Sequence, residues 1–160
     1  MSTNNLAFTA PLNPDGATPV LNKDQIWAGL LLKIESAESF VPKAIESTTV
    51  ISKSTDQSSG NPVTVREVIF REDKRKVRET VTAYEPTQVI FVQPNGSSIA
   101  NIVSEDADGK LYMTYTFEWR HPGASKAELA TLMGSEKKMS KMAVEGTITA
   151  LREMVKSGKL

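Results

Sequence analysis

Residues 111–119 read Leu-Tyr-Met-Thr-Tyr-Thr-Phe-Glu-Trp, and this stretch decides the fold. Large apolar side chains occupy every second position: Leu111, Met113, Tyr115, Phe117 and Trp119. Because successive side chains of a strand point to opposite faces, the alternation predicts a β-strand with one buried face.

One long amphipathic helix is predicted after this strand, and it fills nearly all of the chain to Leu160. Ser125 and Glu128 have the spacing of a capping box, which starts a helix. Beyond Lys138 the charged residues recur on one face of the helical wheel. The opposite face carries Met139, Ala143, Gly146, Thr147, Ala150 and Met154.

The remaining segments indicate a curved antiparallel sheet. Residues 6–12 alternate as an opening strand, and Asn22 is a predicted N-cap for a helix after it. A second short helical turn over residues 36–41 ends at Pro42. Further strands, separated by turn residues, are predicted at residues 48–52, 63–70, 76–84, 87–92 and 98–104. The prediction is an α+β fold in one domain, residues 1–160, with about seven strands around the C-terminal helix and two short helices after strand 1.

Composition excludes several function classes. The 19 basic and 19 acidic side chains balance, which argues against a nucleic-acid partner. With no cysteine and the single His121, thiolate chemistry and multi-histidine metal sites are excluded, and no metal is expected. No Gly-rich phosphate loop occurs in the right context, so no cofactor is predicted. No segment approaches the roughly 20 apolar residues of a membrane span, and no signal peptide is recognisable, so we expect a cytoplasmic protein of undetermined oligomeric state.

Six segments together resemble one known family. They are residues 8–13, 65–70, 77–81, 99–101, 111–119 and 151–156. Their content and order resemble the START/Bet v 1-like (SRPBCC) superfamily, and more closely its small AtaL-like branch, which is known mainly as proteins of uncertain role, some associated with secondary metabolism. The resemblance implies a helix-grip fold and hydrophobic ligand binding, with cyclase, condensing or hydrolase activity in some members. The fold alone does not fix which of these applies.

Two carboxylates on the hairpin at residues 63–84 are candidates for acid–base chemistry. If the turn has three residues, Glu67 and Glu79 lie opposite each other and both point inward with the neighbouring valines. Paired carboxylates in an apolar site cannot both ionise cheaply, so one pKa rises toward neutrality. If the turn has two residues, they lie on opposite faces, and Arg66 can lie diagonally near Glu79 and form an ion pair with it. The sequence leaves both registers open.

Polar groups also occur on other predicted inner faces. Asn101 lies between Ile99 and Val103, and a buried amide needs hydrogen-bond partners from a ligand, a strand or water. Tyr115 buries its ring and can offer its hydroxyl to a ligand. The small residues of the helix either allow close contact with the sheet or leave room for a ligand, and both interpretations are open.

The leading hypothesis is a binding protein for a hydrophobic small molecule, such as a metabolite or a polyketide-like intermediate, in a cavity between sheet and helix. The predicted ligand-binding residues are Arg66, Glu79, Asn101, Met113, Tyr115, Phe117, Met139, Ala143, Thr147 and Ala150. The alternative is a cofactor-free acid–base enzyme of secondary metabolism (a cyclase, isomerase, dehydratase or condensing enzyme). Glu79, Glu67 and Tyr115 are then the catalytic candidates. A protein-interaction module is a third class, which nothing in the sequence favours.

Overall fold

The computed structural model describes residues 2–160 of the chain. The elements follow the chain in the order β1 (Thr3–Pro11), α1 (Lys23–Glu35), a 3-10 helix (Ala37–Ser39), β2 (Ile45–Thr55), β3 (Pro62–Phe70), β4 (Lys76–Tyr84), β5 (Gln88–Val92), β6 (Ser98–Glu105), β7 (Leu111–Arg120) and α2 (Lys126–Lys156). This order confirms the predicted sequence of strand, two short helices, six strands and a long final helix.

The seven strands form one antiparallel sheet in the order β1-β7-β6-β5-β4-β3-β2. From β2 to β7 each strand pairs with the next one along the chain, because short turns favour antiparallel neighbours. Since β1 and β2 lie at opposite edges, α1 and the 3-10 helix connect the two edges. The predicted α+β helix-grip fold is confirmed.

Both α-helices begin where capping chemistry predicts. The Asn22 side chain accepts from the Gln25 backbone N–H at 2.8 Å, and the Gln25 side chain accepts from the Asn22 N–H at 3.0 Å. Ser125 and Glu128 form the same reciprocal pair at the start of α2. Each box satisfies two donors that have no partner within the helix. None of the helices in residues 2–160 combines the length and apolar composition that a membrane crossing needs.

The buried face of α2 is rotated relative to the prediction. Its buried residues are Ser140, Val144, Thr147, Leu151 and Met154, whereas Ala143, Gly146 and Ala150 are only half-buried. α2 lies nearest to β1 and then to β7, so the side that faces these strands is the buried one. A Cβ at Gly146 would lie 3.2 Å from the carbonyl oxygen of Phe40, so this glycine allows close contact with the segment after the 3-10 helix.

Candidate functional site

The β3–β4 register decides which carboxylate faces inward. Arg66 pairs directly with Glu79, and Glu67 pairs with Arg78. The Phe70 N–H donates to the Arg75 carbonyl at 2.9 Å, which leaves residues 71–74 as an even-numbered turn. The three-residue alternative, with Glu67 opposite Glu79, is therefore wrong. The other alternative gave the correct faces and the ion pair, but the turn has four residues rather than two and Arg66 lies directly opposite Glu79.

The inner face of β3 is the opposite of the one that its valines suggested. Thr64, Arg66 and Val68 are buried, whereas Glu67 points away from the interior with the alternate residues of the strand. The Glu67 carboxylate lies 3.9 Å from the Lys76 ammonium and 3.6 Å from the Arg78 guanidinium, both exposed. Glu67 consequently does not reach the interior.

A buried ion pair joins β3, β4 and α1. Arg66 and Glu79 are only 4% and 3% exposed. Arg66 Nε and Nη2 donate to Glu79 Oε1 at 3.0 and 2.8 Å, and Gln93 donates to the other carboxylate oxygen at 3.3 Å. Arg66 Nη1 also donates to the carbonyls of Lys33 and Ile34, each at 3.0 Å. Because these carbonyls lie in the last turn of α1, the cation also satisfies a helix C-terminus.

Lys33 is a buried amine that the sequence analysis missed. It is 6% exposed, and its Nζ donates to Asn101 Oδ1 at 2.9 Å. The Nζ lies 4.8 Å from the ring centre of Phe91 and 5.2 Å from that of Tyr115. A signal was present, because Lys33 follows Ile26 and Leu30 at helical spacing on the apolar face of α1.

Burial lowers the pKa of Lys33 from 10.5 to about 7. Loss of hydration is the largest cause, since it disfavours the charged ammonium. The positive charge of Arg66 lowers the pKa further, and the carboxylate of Glu79 opposes the shift. Near neutral pH a large fraction of Lys33 is therefore an uncharged amine.

Asn101 and Tyr115 both lie fully inside the fold. Asn101 is 0% exposed, and its Nδ2 has no hydrogen-bond partner, although its Oδ1 is engaged by Lys33. The Tyr115 hydroxyl shares a hydrogen bond of 2.6 Å with Thr147 Oγ1, which ties β7 to α2. Burial raises the pKa of Tyr115 well above its ordinary value, so the phenol stays protonated.

These groups surround an internal cavity of about 90 Å³. Its walls are apolar apart from one cluster of polar side chains. The lining residues are Lys33, Ala37, Val41, Ala44, Ile45, Arg66, Val68, Phe70, Glu79, Phe91, Ile99, Asn101, Tyr115, Phe117, Trp119, Met139, Met142 and Ala143.

Most of the predicted ligand-binding residues lie on this wall, but three do not. Met113 is completely buried in the packed core, where it faces Ala10 of β1 and Val103 of β6. Thr147 lies behind Tyr115 and contacts its hydroxyl. Ala150 lines a separate surface groove beside Phe40, Pro42 and Gly146, because that turn of α2 has passed beyond the cavity.

A second hollow of about 390 Å³ lies next to the cavity and shares part of its wall. The shared residues are Ala44, Phe70, Trp119, Met139 and Met142. Met139 is 40% exposed, so it lies where the two spaces meet the solvent. Unbranched methionine side chains adopt many shapes, which suits them to a movable boundary.

No group of three histidine, cysteine, aspartate or glutamate side chains in residues 2–160 is placed to hold a metal ion. The polar groups on the cavity wall are the Lys33 amine, largely uncharged near neutral pH, the free amide donor of Asn101 and the ion pair of Arg66 with Glu79. Tyr115 adds a protonated phenol, which is bonded to Thr147.

Comparison with models of known protein families shows which family the chain belongs to. The model for "AtaL: Acetylaranotin biosynthesis cluster protein L" matches residues 6–158. The chain belongs to the AtaL family. This confirms the resemblance inferred from the sequence. Among curated protein sequences, none is significantly similar to it.

Solved structures share the fold of this AtaL-family chain at low sequence identity. Ara h 8.0201 has a TM-score of 0.57 and 15% identity, with 98% of this chain and 99% of that chain covered. The Zhui aromatase/cyclase from Streptomyces sp. R1128 has a TM-score of 0.63 and 12% identity, with 96% of each chain covered. XoxI from Bacillus cereus has a TM-score of 0.53 and 13% identity, with 96% and 94% covered. At these identities the likeness is one of fold, and it agrees with the helix-grip fold described above.

The substitution Glu79→Gln is expected to lower the free energy of unfolding by about 3–5 kcal/mol, because it leaves the buried Arg66 cation unpaired. Glu67→Gln is the matched control, since Glu67 pairs only with exposed cations. Its expected effect is below about 1 kcal/mol. Urea unfolding of both variants measures the difference. Equal losses from the two substitutions would contradict the register described above.

Lys33→Met is expected to stabilise the protein at neutral pH, and the gain should shrink as the pH rises. Between the folded pKa of about 7 and the ordinary value of 10.5, the unfolded chain binds a proton at Lys33 that the folded chain does not. The stability of the unsubstituted protein therefore rises through this window by up to about 1.4 kcal/mol per pH unit. Below the folded pKa both states are protonated and the difference is constant.

Urea unfolding of the two proteins at several pH values from neutral to alkaline measures this convergence. Taking the difference between them cancels the titration of every group other than Lys33. A stability difference that does not change over the window would show that Lys33 titrates normally in the folded protein.

Proposed function

We propose that the protein binds a hydrophobic small molecule, a metabolite or a polyketide-like intermediate, in the cavity between the sheet and α2. The observation that carries the proposal is the Asn101 amide, whose Nδ2 is buried without a partner in the polar cluster of a largely apolar cavity wall. An unsatisfied buried donor costs about 1–3 kcal/mol. A ligand oxygen that accepts from Nδ2 would recover this energy.

The size of the cavity limits the ligand. Pockets for drug-sized molecules occupy roughly 300–1,000 Å³. The inner cavity of about 90 Å³ is smaller than this. Together with the adjoining hollow of about 390 Å³, its volume falls within the range for drug-sized molecules. A ligand would extend from Asn101 outward past Met139 and Met142, which can change rotamer to admit it.

The buried charges support a functional site as well. Replacing a buried ion pair by packed apolar residues is often neutral or stabilising by about 1–4 kcal/mol. Stability alone therefore does not explain Arg66, Glu79 and Lys33 together on one cavity wall. Pockets of this kind use a few fixed polar groups to orient an apolar ligand, and these three supply them with Asn101.

A cofactor-free acid–base enzyme of secondary metabolism, a cyclase, isomerase, dehydratase or condensing enzyme, is the second candidate. It is favoured by the lowered pKa of Lys33, which makes this amine a base near neutral pH. Both oxygens of Glu79 already accept hydrogen bonds, so Glu79 would position Arg66, and Tyr115 would serve as a donor. The family description and the aromatase/cyclase among the similar structures accord with this candidate.

Ala143→Leu is expected to weaken ligand binding by about tenfold or more, because the added carbons fill part of the inner cavity. Ala150→Leu is the control, since Ala150 lies on the same helix but outside the cavity. Titration with the fluorescent probe anilinonaphthalene sulfonate, whose aromatic rings bind apolar sites, measures both affinities. Unchanged affinity in the Ala143 variant would count against this cavity as the binding site.

A further inference from the structure

Lys33 has a reactivity that neither the fold nor the orientation of an apolar ligand requires. It is a primary amine on the cavity wall, held between Phe91 and Tyr115 and hydrogen-bonded to Asn101. We propose that Lys33 forms an imine with an aldehyde or ketone group of an apolar ligand. This inference rests on the proposed function, since it assigns a carbonyl compound to the same cavity.

The surroundings of Lys33 favour the uncharged, nucleophilic amine. The charged groups that face it are Arg66 on β3 and Glu79 on β4, and the titratable phenol of Tyr115 faces it from β7. Arg66 repels a second cation, and it also binds the Glu79 carboxylate directly. The two aromatic faces favour the cation, but burial is the larger influence. A lysine in an apolar pocket beside another cation is the arrangement that activates amines toward carbonyl compounds.

Asn101 places the reacting atoms together. Its Oδ1 accepts an N–H of Lys33 at 2.9 Å, which fixes the amine beside the amide group. Its Nδ2 is the free donor on the same carbon, so it can bind a ligand carbonyl oxygen next to Nζ. A hydrogen bond to that oxygen polarises the carbonyl and holds its carbon close to the nitrogen.

The step balances without another reactant. The Nζ lone pair attacks the carbonyl carbon and forms the N–C bond, while the carbonyl π pair moves to oxygen. One proton passes from nitrogen to oxygen and gives a carbinolamine. Nitrogen then forms the second bond to carbon, the C–O bond breaks, and the oxygen leaves as water with the second N–H proton. On the measure that gives about 90 Å³ for the cavity, one water molecule needs roughly 10–15 Å³, so the cavity can hold the water that is released.

Benzaldehyde with sodium cyanoborohydride at neutral pH tests the proposal, because the hydride reduces an imine to a stable secondary amine. Intact mass should rise by one benzyl group per chain, and peptide mapping should place it on Lys33. At neutral pH the uncharged fraction of Lys33 is roughly a thousandfold that of an exposed lysine. Lys33→Met should lose the label, and Lys23→Arg, at an exposed site, should keep it.

Labels spread over exposed lysines, and equal in the Lys33→Met variant, would overturn the inference. Benzyl alcohol has the same ring without the carbonyl, so it can bind in the cavity but cannot form an imine. It therefore distinguishes a failure of the imine proposal from a failure of the proposed ligand binding. If benzyl alcohol binds and Ala143→Leu weakens its binding, but no adduct forms on Lys33, the cavity is a binding site and the imine is wrong. If benzyl alcohol does not bind and no adduct forms, both proposals fail.

Discussion

The buried ion pair between Arg66 and Glu79 is the interaction on which the site depends. Arg66 joins two neighbouring strands through Glu79 and reaches the last turn of α1 through the carbonyls of Lys33 and Ile34. This fixes the C-terminal end of α1 against the sheet. Since Lys33 belongs to that turn, the ion pair also sets where its side chain enters the interior.

A cluster of charged groups in a small apolar interior costs folding free energy, so its presence needs an explanation. Arg66 and Glu79 satisfy each other and leave few hydrogen-bonding groups free. Lys33 and Asn101 are not satisfied in this way. The Asn101 Nδ2 has no hydrogen-bond partner, and Lys33 loses much of its positive charge. Groups held in such a state concentrate at sites of binding or catalysis. The proposal that a ligand occupies the cavity rests on this argument.

Much of the fold followed from local patterns. The alternation at residues 111–119, the two capping boxes and the turn residues between strands each depend on neighbours along the chain, which a sequence displays directly. The inner face of β3 could not be predicted from such local patterns. Its direction depends on whether the turn over residues 71–74 has an odd or an even number of residues, and the valines at Val63 and Val65 suggested the wrong face.

The site was predictable only in part, for the same reason. Seven of the ten predicted ligand-binding residues line the cavity, including Arg66, Glu79 and Asn101. Met113 and Ala150 have the right periodicity but lie beyond the end of the cavity, a position along the axis that periodicity does not encode. Lys33 was visible as a charge on the apolar face of α1, yet its hydrogen-bond partner Asn101 is 68 residues away on β6. The two rings beside its Nζ, Phe91 and Tyr115, lie on β5 and β7.

Native mass spectrometry of the protein, after incubation with a metabolite extract from its own source, tests the central claim most directly. The same solution is analysed for compounds that have been altered. We expect one retained small apolar molecule per chain, or the consumption of a carbonyl-containing compound. With the Ala143→Leu variant we expect neither result. A chain that retains nothing and changes nothing, or that binds equally well when Ala143 is enlarged, would contradict a functional cavity at this site.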